Sequence, residues 1–459
     1  MLVDLVALGR SIKAKRVLVD LQRSSVGAAG PVDLWASCCK VGRQKSKKSM
    51  IRPVPLQLES KLVGEAIDND SHPPSLQLPP GFSRPLAWEL ANLIRVAYGD
   101  FDKYDKQQDL DNLIQVGDTL WLPPNLTYDP IDHFWLQHAH DEPIDSDEKD
   151  AGPIGESTAY KVLDVFTYLA FSAGIPPKPE VDRFGFAVER DLPDGSKEIN
   201  FIFRGTIEPS EWFNNFQYKQ IPFLQTESGN QARMGEACLG FNKIYTDYRP
   251  GLVMDNKTFN KFSRDLDKGL RKAALDMHPE ISSEHKAPIM VSVHQVLDEV
   301  FEHSDQSISI NVAGHSLGAA LATICALHAS ILCDSREAQC PVSLYTFASP
   351  RVGNPQFARS CNKKLSAFRI ANSEDVVPGL PPATLKVIGD EMSPARHVKT
   401  VRKALAVVTG GVSDDVFEHV GAPVYFTTQL GEISSNHNMG HTYCSPLRES
   451  QPSPPDSSR

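Results

Sequence analysis

Two kinds of run interleave along this chain between residues 84 and 427: short apolar or alternating stretches, and longer segments with helical spacing. Residues 84–98 place Leu86, Leu90, Leu93, Ile94 and Ala97 on one face, which predicts an amphipathic helix. Tyr160–Phe171 reads as a second helix on the same ground. Phe184–Glu189 and Glu198–Phe203 are strand-like and flank Pro193-Asp-Gly195, a hairpin turn signal. Further strands are expected over Ser307–Ala313, Val342–Phe347, Ala367–Ala371 and Val424–Thr427, with helical patterns between most of them. The alternation predicts an α/β layout, and no internal repeat is visible.

One junction carries chemistry. Ile308-Ser-Ile-Asn-Val-Ala-Gly-His-Ser-Leu-Gly318 reads as a strand that turns sharply into an Ala/Leu-rich helix reaching about Leu332. A serine at such a corner sits in a strained backbone conformation that lifts its Oγ clear of the sheet. The positions two residues to either side press on the neighbouring strand and helix, and Gly314 and Gly318 occupy them. This is the pattern of a nucleophile elbow with Ser316 at its tip. The helix N-terminus directs free N–H groups at the site, so the Leu317 amide is a candidate oxyanion donor.

A nucleophilic serine needs a base, and the base an orienting acid, in the order Ser, Asp/Glu, His for this class of elbow. Asp375 follows the short strand Ala367–Ala371, with Glu374 as its nearest competitor. Downstream, His419 stands beside a Gly/Pro turn and before an apolar strand, and His397, His437 and His441 are rivals. Spacing alone leaves these histidines open.

Four blocks in order resemble the class 3 lipase family, the fungal-type triacylglycerol lipases and related acyl hydrolases. They are Asn200-Phe-Ile-Phe-Arg-Gly-Thr206 with Glu211-Trp212, the elbow, Thr346-Phe-Ala-Ser-Pro-Arg-Val-Gly-Asn354, and Asn372-Ser-Glu-Asp-Val-Val-Pro-Gly-Leu-Pro-Pro382. Asn436-His-Asn-Met-Gly-His-Thr-Tyr443 resembles the segment that closes the family's domain. The resemblance spans about residues 80–445. It implies an α/β-hydrolase fold, a mostly parallel central sheet flanked by helices, with an N-terminal extension and surface insertions. It implies a triad of Ser316, Asp375 and His419, with Thr206 joining Leu317 in the oxyanion hole. It also implies a lid near Trp212, Phe213 and Phe216, whose spacing makes a short aromatic helix face. The expected activity is hydrolysis of fatty-acyl lipid esters through an acyl-enzyme, without metal or organic cofactor. Phospholipids, galactolipids and feruloyl-type esters are alternative substrates, and a non-catalytic lipid-binding scaffold is a different class of reading. The chain departs from the family at Ala237-Cys238-Leu239, where a Val-His is usual, and in a long charged stretch between Phe241 and Gly314.

Composition narrows the picture. A net charge of −10 over 459 residues argues against a nucleic-acid partner, and the family resemblance implies a lipid ester at a lipid–water interface as the expected one. No run of 18 uninterrupted apolar residues predicts a transmembrane anchor, and oligomeric state is not legible. Residues 1–53 carry eleven Lys/Arg against three Asp, which resembles an organelle transit peptide, a solvated basic arm or a misassigned start. Residues 1–79 are therefore read as an extension, 80–445 as the catalytic domain and 446–459 as a disordered tail. The eight cysteines form no CxxC pair, and the spacing of Cys333 and Cys340 is equally consistent with a bridge across a loop and with reduced thiols. His133, His138 and His140 complete no recognisable metal set.

Overall fold

A computed structural model of the chain describes residues 78–447 apart from 108–109, 123–134, 139–156, 172–176, 207–217, 249–256, 280, 282–284, 286, 305, 337–339 and 382–415. The described residues belong to one unit, Leu76–Arg459.

Nine strands make the central sheet: β1 (Thr119–Leu122), β2 (Trp135–Gln137), β3 (Thr158–Phe171), β4 (Pro179–Asp191), β5 (Lys197–Phe203), β8 (Ile308–His315), β9 (Val342–Phe347), β10 (Ser366–Asn372) and β11 (Ala422–Phe426). Their order across the sheet is β11-β10-β9-β8-β5-β4-β3-β1-β2. From β5 to β11 every neighbouring pair is parallel, whereas from β5 to β2 every pair is antiparallel. The expected α/β layout holds, with parallel pairing confined to the half that carries the elbow. A small ribbon of β6 (Gln220–Pro222) and β7 (Glu236–Cys238) stands apart.

Helices cover both faces, as a parallel sheet requires. On one face lies α1 (Arg84–Asp105), started by Ser83, whose side chain accepts from the Leu86 N–H, and by Pro85 in its first turn. Its apolar stripe packs with Tyr160, Phe186, Ile202 and Phe347, and with Met439 and Tyr443 from the C-terminal segment. The other face carries α2 (Leu239–Thr246), α4 (Ile289–His303), α5 (Leu317–Ser335) and α6 (Pro355–Lys364). The charged insertion is largely the helix α3 (Lys257–Met277). α5 is the one described helix long and apolar enough to cross a membrane, yet 89% of that window is buried inside the fold. Its five alanines allow it to lie close against β8 and β9.

Tyr160–Phe171 is not a helix but the body of β3. Register shifts between Val162 and Asp164 and between Phe166 and Thr167 interrupt its two-residue period. Buried Val162, Phe166 and Leu169 therefore recur at helical spacing, although the segment is rich in β-branched and aromatic residues. The hairpin expected at Pro193-Asp-Gly195 joins β4 to β5, with Gly195 at φ +82°. At the join between the two halves, buried Asn311 on β8 donates to Asn200 directly opposite on β5 at 3.1 Å, which fixes the register.

Candidate active site

Ser316 stands between β8 and α5 with φ +57° and ψ −125°, a region that non-glycine residues rarely enter. The glycines of the turn are dictated by contact. A Cβ on Gly314 would overlap the Gly318 carbonyl, and one on Gly318 would overlap the carbonyls of Phe203 and Arg204. The Ser316 hydroxyl is buried and has no hydrogen-bond partner. Leu317 is the first residue of α5, so its N–H has no acceptor within the helix.

The strand end of β5 delivers the Arg204–Thr206 loop to the same place. Arg204 anchors it: its Nε donates to the Arg183 carbonyl at 2.6 Å and its Nη1 to the Gly205 carbonyl at 2.6 Å. Its guanidinium lies 3.4 Å over the Phe101 ring, and burial lowers its pKa to about 10. Gly205 is pressed on the nucleophile, since a Cβ there would lie 2.7 Å from the Ser316 Cβ. The Thr206 hydroxyl is a second buried polar group without a partner.

Asp375 follows β10, at the C-terminal ends of the parallel strands where open α/β sheets place their functional groups. Its Oδ1 accepts from the Val377 N–H at 2.9 Å. Its Oδ2 accepts from His437 Nδ1 at 2.7 Å and from the Tyr443 hydroxyl at 2.7 Å. Burial and the Asp375 charge push the Tyr443 phenol well above its ordinary pKa, so it remains a donor. With Nδ1–H committed to Asp375, His437 keeps its Nε2 lone pair free, and that buried atom has no partner. Asn372 holds this segment, donating to the carbonyls of Thr428 and Asn436 at 2.9 and 3.1 Å. Glu374, the competitor, instead accepts from Gln429 at the exposed surface.

The histidine paired with Asp375 is therefore His437 and not His419. His419 precedes β11, which runs parallel to β10, whereas the Asp375 loop follows the strand ends; the chain reaches that level only at Phe426. His437 comes after β11 and α7 (Ile433–Asn436), on the correct side. His419 lies near Arg369 and Arg351, and its ring donates to the Pro378 carbonyl. Burial and the two guanidiniums push its pKa down to about 3, which suits no carboxylate-paired base. The mistaken expectation came from reading a motif without strand direction. His437 was among the rival histidines that spacing left open, and Tyr443 lay in the same closing segment without an assigned role.

The expected lid residues Trp212, Phe213 and Phe216 fall outside the described residues, as do His133 and His140. His138 bonds Asp118 at 3.1 Å, and the described residues hold no cluster of metal-ligating side chains. Cys333 and Cys340 are free thiols.

A serine on a strained elbow, an Asp–His pair with a free ring nitrogen and a buried, unpartnered Thr206 hydroxyl lie at the C-terminal ends of the parallel strands. Residues 200–385, which contain the elbow and Asp375, match the lipase (class 3) family model. This segment belongs to the class 3 lipase family. The chain is 31% identical over 202 residues to phospholipase A1-II 1 of Oryza sativa subsp. indica, covering 43% of each chain. It is 27% identical over 232 residues to the chloroplastic phospholipase A1-Igamma1 of Arabidopsis thaliana, covering 45% of this chain and 39% of that one. The chloroplastic/mitochondrial phospholipase A1 EG1 of Oryza sativa subsp. indica is 25% identical over 258 residues, covering 55% and 48%. The chain thus aligns with about half the length of these curated relatives or less. Among solved structures, a propeptide complex of the Rhizomucor miehei lipase is 19% identical with a TM-score of 0.30, covering 59% of this chain and 56% of that one. The M37 lipase is 18% identical with a TM-score of 0.37, covering 63% and 79%.

Proposed function

We infer that this chain is a serine hydrolase that cleaves fatty-acyl esters of lipids, with Ser316 as nucleophile, His437 as general base and Asp375 as its orienting acid. The observation that carries the reading is the 2.7 Å bond from His437 Nδ1 to Asp375 in a site where the Ser316 hydroxyl and His437 Nε2 both lack partners. Ser316 attacks the acyl carbonyl as its proton passes to His437 Nε2, and Asp375 stabilises the imidazolium that forms. The carbonyl oxygen gains negative charge and is met by the Leu317 and Thr206 N–H groups, with the Thr206 hydroxyl beside them. The imidazolium returns the proton to the leaving alcohol. Water, deprotonated in turn by His437, then releases the fatty acid and restores Ser316.

The curated relatives named phospholipase A1 favour a phospholipid over a triacylglycerol as the substrate. Two relatives named as chloroplastic or chloroplastic/mitochondrial, with the basic segment 1–53, favour an organelle as the site of action. The lipid surface is the expected partner. The test is fatty-acid release from phosphatidylcholine, a galactolipid and a triacylglycerol in parallel, with Ser316→Ala as the blank. Release from phosphatidylcholine well above that blank is expected. No release from any of the three, together with no fluorophosphonate labelling of Ser316, would sink the reading in favour of a lipid-binding scaffold.

A further inference from the structure

Tyr98 has no place in the reaction described above, yet its hydroxyl stands between the two halves of the site. It lies on α1, outside the segment that matches the family model. The oxygen accepts the Gly205 N–H at 2.9 Å and lies 2.8 Å from His315 Nδ1. Gly205 adjoins the oxyanion residue Thr206, and His315 adjoins the nucleophile Ser316.

Proton bookkeeping settles what these bonds are. A phenol carries one proton, and burial raises the Tyr98 pKa far above its ordinary value, so that proton stays. The oxygen accepts from Gly205, so its own proton goes to His315 Nδ1. His315 is then an Nδ1 acceptor with its hydrogen on Nε2. Burial and the neighbouring His437 push its pKa well down, which keeps the ring neutral. The two imidazole rings are 4.6 Å apart and tilted by 37°. A neutral His315 leaves His437 as the only imidazole there to become positive during the reaction.

The peptide planes around Gly205 show what the first bond does. Tyr98 holds the plane that carries the Gly205 N–H. The next plane contains the Gly205 carbonyl and the Thr206 N–H, and Arg204 Nη1 holds that carbonyl at 2.6 Å. Because each peptide unit is planar, fixing the carbonyl also aims the amide. Tyr98 and Arg204 thus aim the Thr206 N–H between them.

We propose that Tyr98 is a positioning residue for ester hydrolysis, its hydroxyl clamping the oxyanion loop at Gly205 to the elbow at His315. The clamp holds the Thr206 donor and the Ser316 oxygen at a set separation and keeps His315 in its neutral Nε2–H form beside His437. The inference rests on the hydrolase reading given above. A phenylalanine would fill the same volume but leave the Gly205 N–H and His315 Nδ1 without partners. Alignment of the oxyanion donor matters most in the transition state, so the loss belongs in kcat rather than in KM.

The test is Tyr98→Phe in the full chain, assayed on a short-chain p-nitrophenyl ester and on phosphatidylcholine, with thermal unfolding as a check on the fold. The expected result is kcat lower by ~10- to 100-fold with KM changed by less than about 2-fold. An unchanged kcat with only a lower melting temperature would make Tyr98 a core residue and overturn the clamp. If Tyr98→Phe does not fold, His315→Phe removes the elbow end alone, because its ring offers the Tyr98 hydroxyl no acceptor. A kcat loss at constant KM supports the clamp there, and an unchanged kcat overturns it. Wild type that neither hydrolyses esters nor labels with a fluorophosphonate would remove the hydrolase reading and this inference together. Active wild type with unaffected variants would remove the inference alone.

Discussion

His437 and His419 are both largely buried histidines in the C-terminal segment, and their surroundings are opposite in sign. His437 faces the carboxylate of Asp375 at 2.7 Å and keeps a free ring nitrogen. His419 stands near the guanidiniums of Arg369 and Arg351 and donates to a backbone carbonyl. An adjacent carboxylate stabilises an imidazolium, whereas adjacent guanidiniums oppose it. A general base must become positive in the transition state, so the neighbouring charge, more than burial, separates a working base from a structural histidine.

The largest effect is expected from the site side of this comparison. His437→Gln should lower kcat by ~10⁵-fold, the general magnitude for loss of a triad base, measured on any ester the wild type hydrolyses. A drop of less than tenfold would move the base elsewhere. Asp375→Asn should follow, with a fall of ~10⁴-fold, because a neutral amide neither fixes the His437 tautomer nor stabilises its charge. Tyr443→Phe removes one of three donors to the same carboxylate and should cost ~10-fold in kcat with the fold intact. No change at all would confine Tyr443 to packing.

The smallest catalytic effect, and a different signature, is expected at His419. His419→Gln should leave kcat within about threefold of wild type, since the ring touches no reacting group. Its role should show in stability against pH. The folded ring has its pKa depressed from 6.5 to about 3, so in acid the unfolded chain binds a proton that the folded chain does not. Stability is then fully present above pH 6.5 and declines as the pH falls towards 3. Buried His328, also pushed down to about 3, acts in the same direction. Urea midpoints measured at pH 7.5 and pH 5 should lie closer together in His419→Gln than in wild type. Equal separations would mean that His419 does not contribute to acid sensitivity.

The same contrast shows how far sequence reading reaches. The elbow was legible because its strand, glycines and helix are contiguous, and each residue type answers a local contact: Gly314 against Gly318, and Gly318 against Arg204. The β4–β5 hairpin was legible for the same reason. β3 was not, because its two register shifts move buried positions into helical spacing, and the pairing with β1 and β4 that reveals it is non-local. Asp375 was within reach through its strand end. The histidine was not, because choosing between positions 419 and 437 requires knowing that β11 runs parallel to β10. Tyr98 left no local signal: a tyrosine on an amphipathic helix becomes part of the site only when α1 packs across the sheet near β5 and β8.

The most direct test of the central claim compares His437→Gln and His419→Gln side by side for the rate at which a fluorophosphonate labels Ser316. Labelling requires an activated serine but no particular lipid. The account predicts wild-type labelling in His419→Gln and labelling slowed by more than ~100-fold in His437→Gln. Slow labelling in His419→Gln with normal labelling in His437→Gln would contradict it.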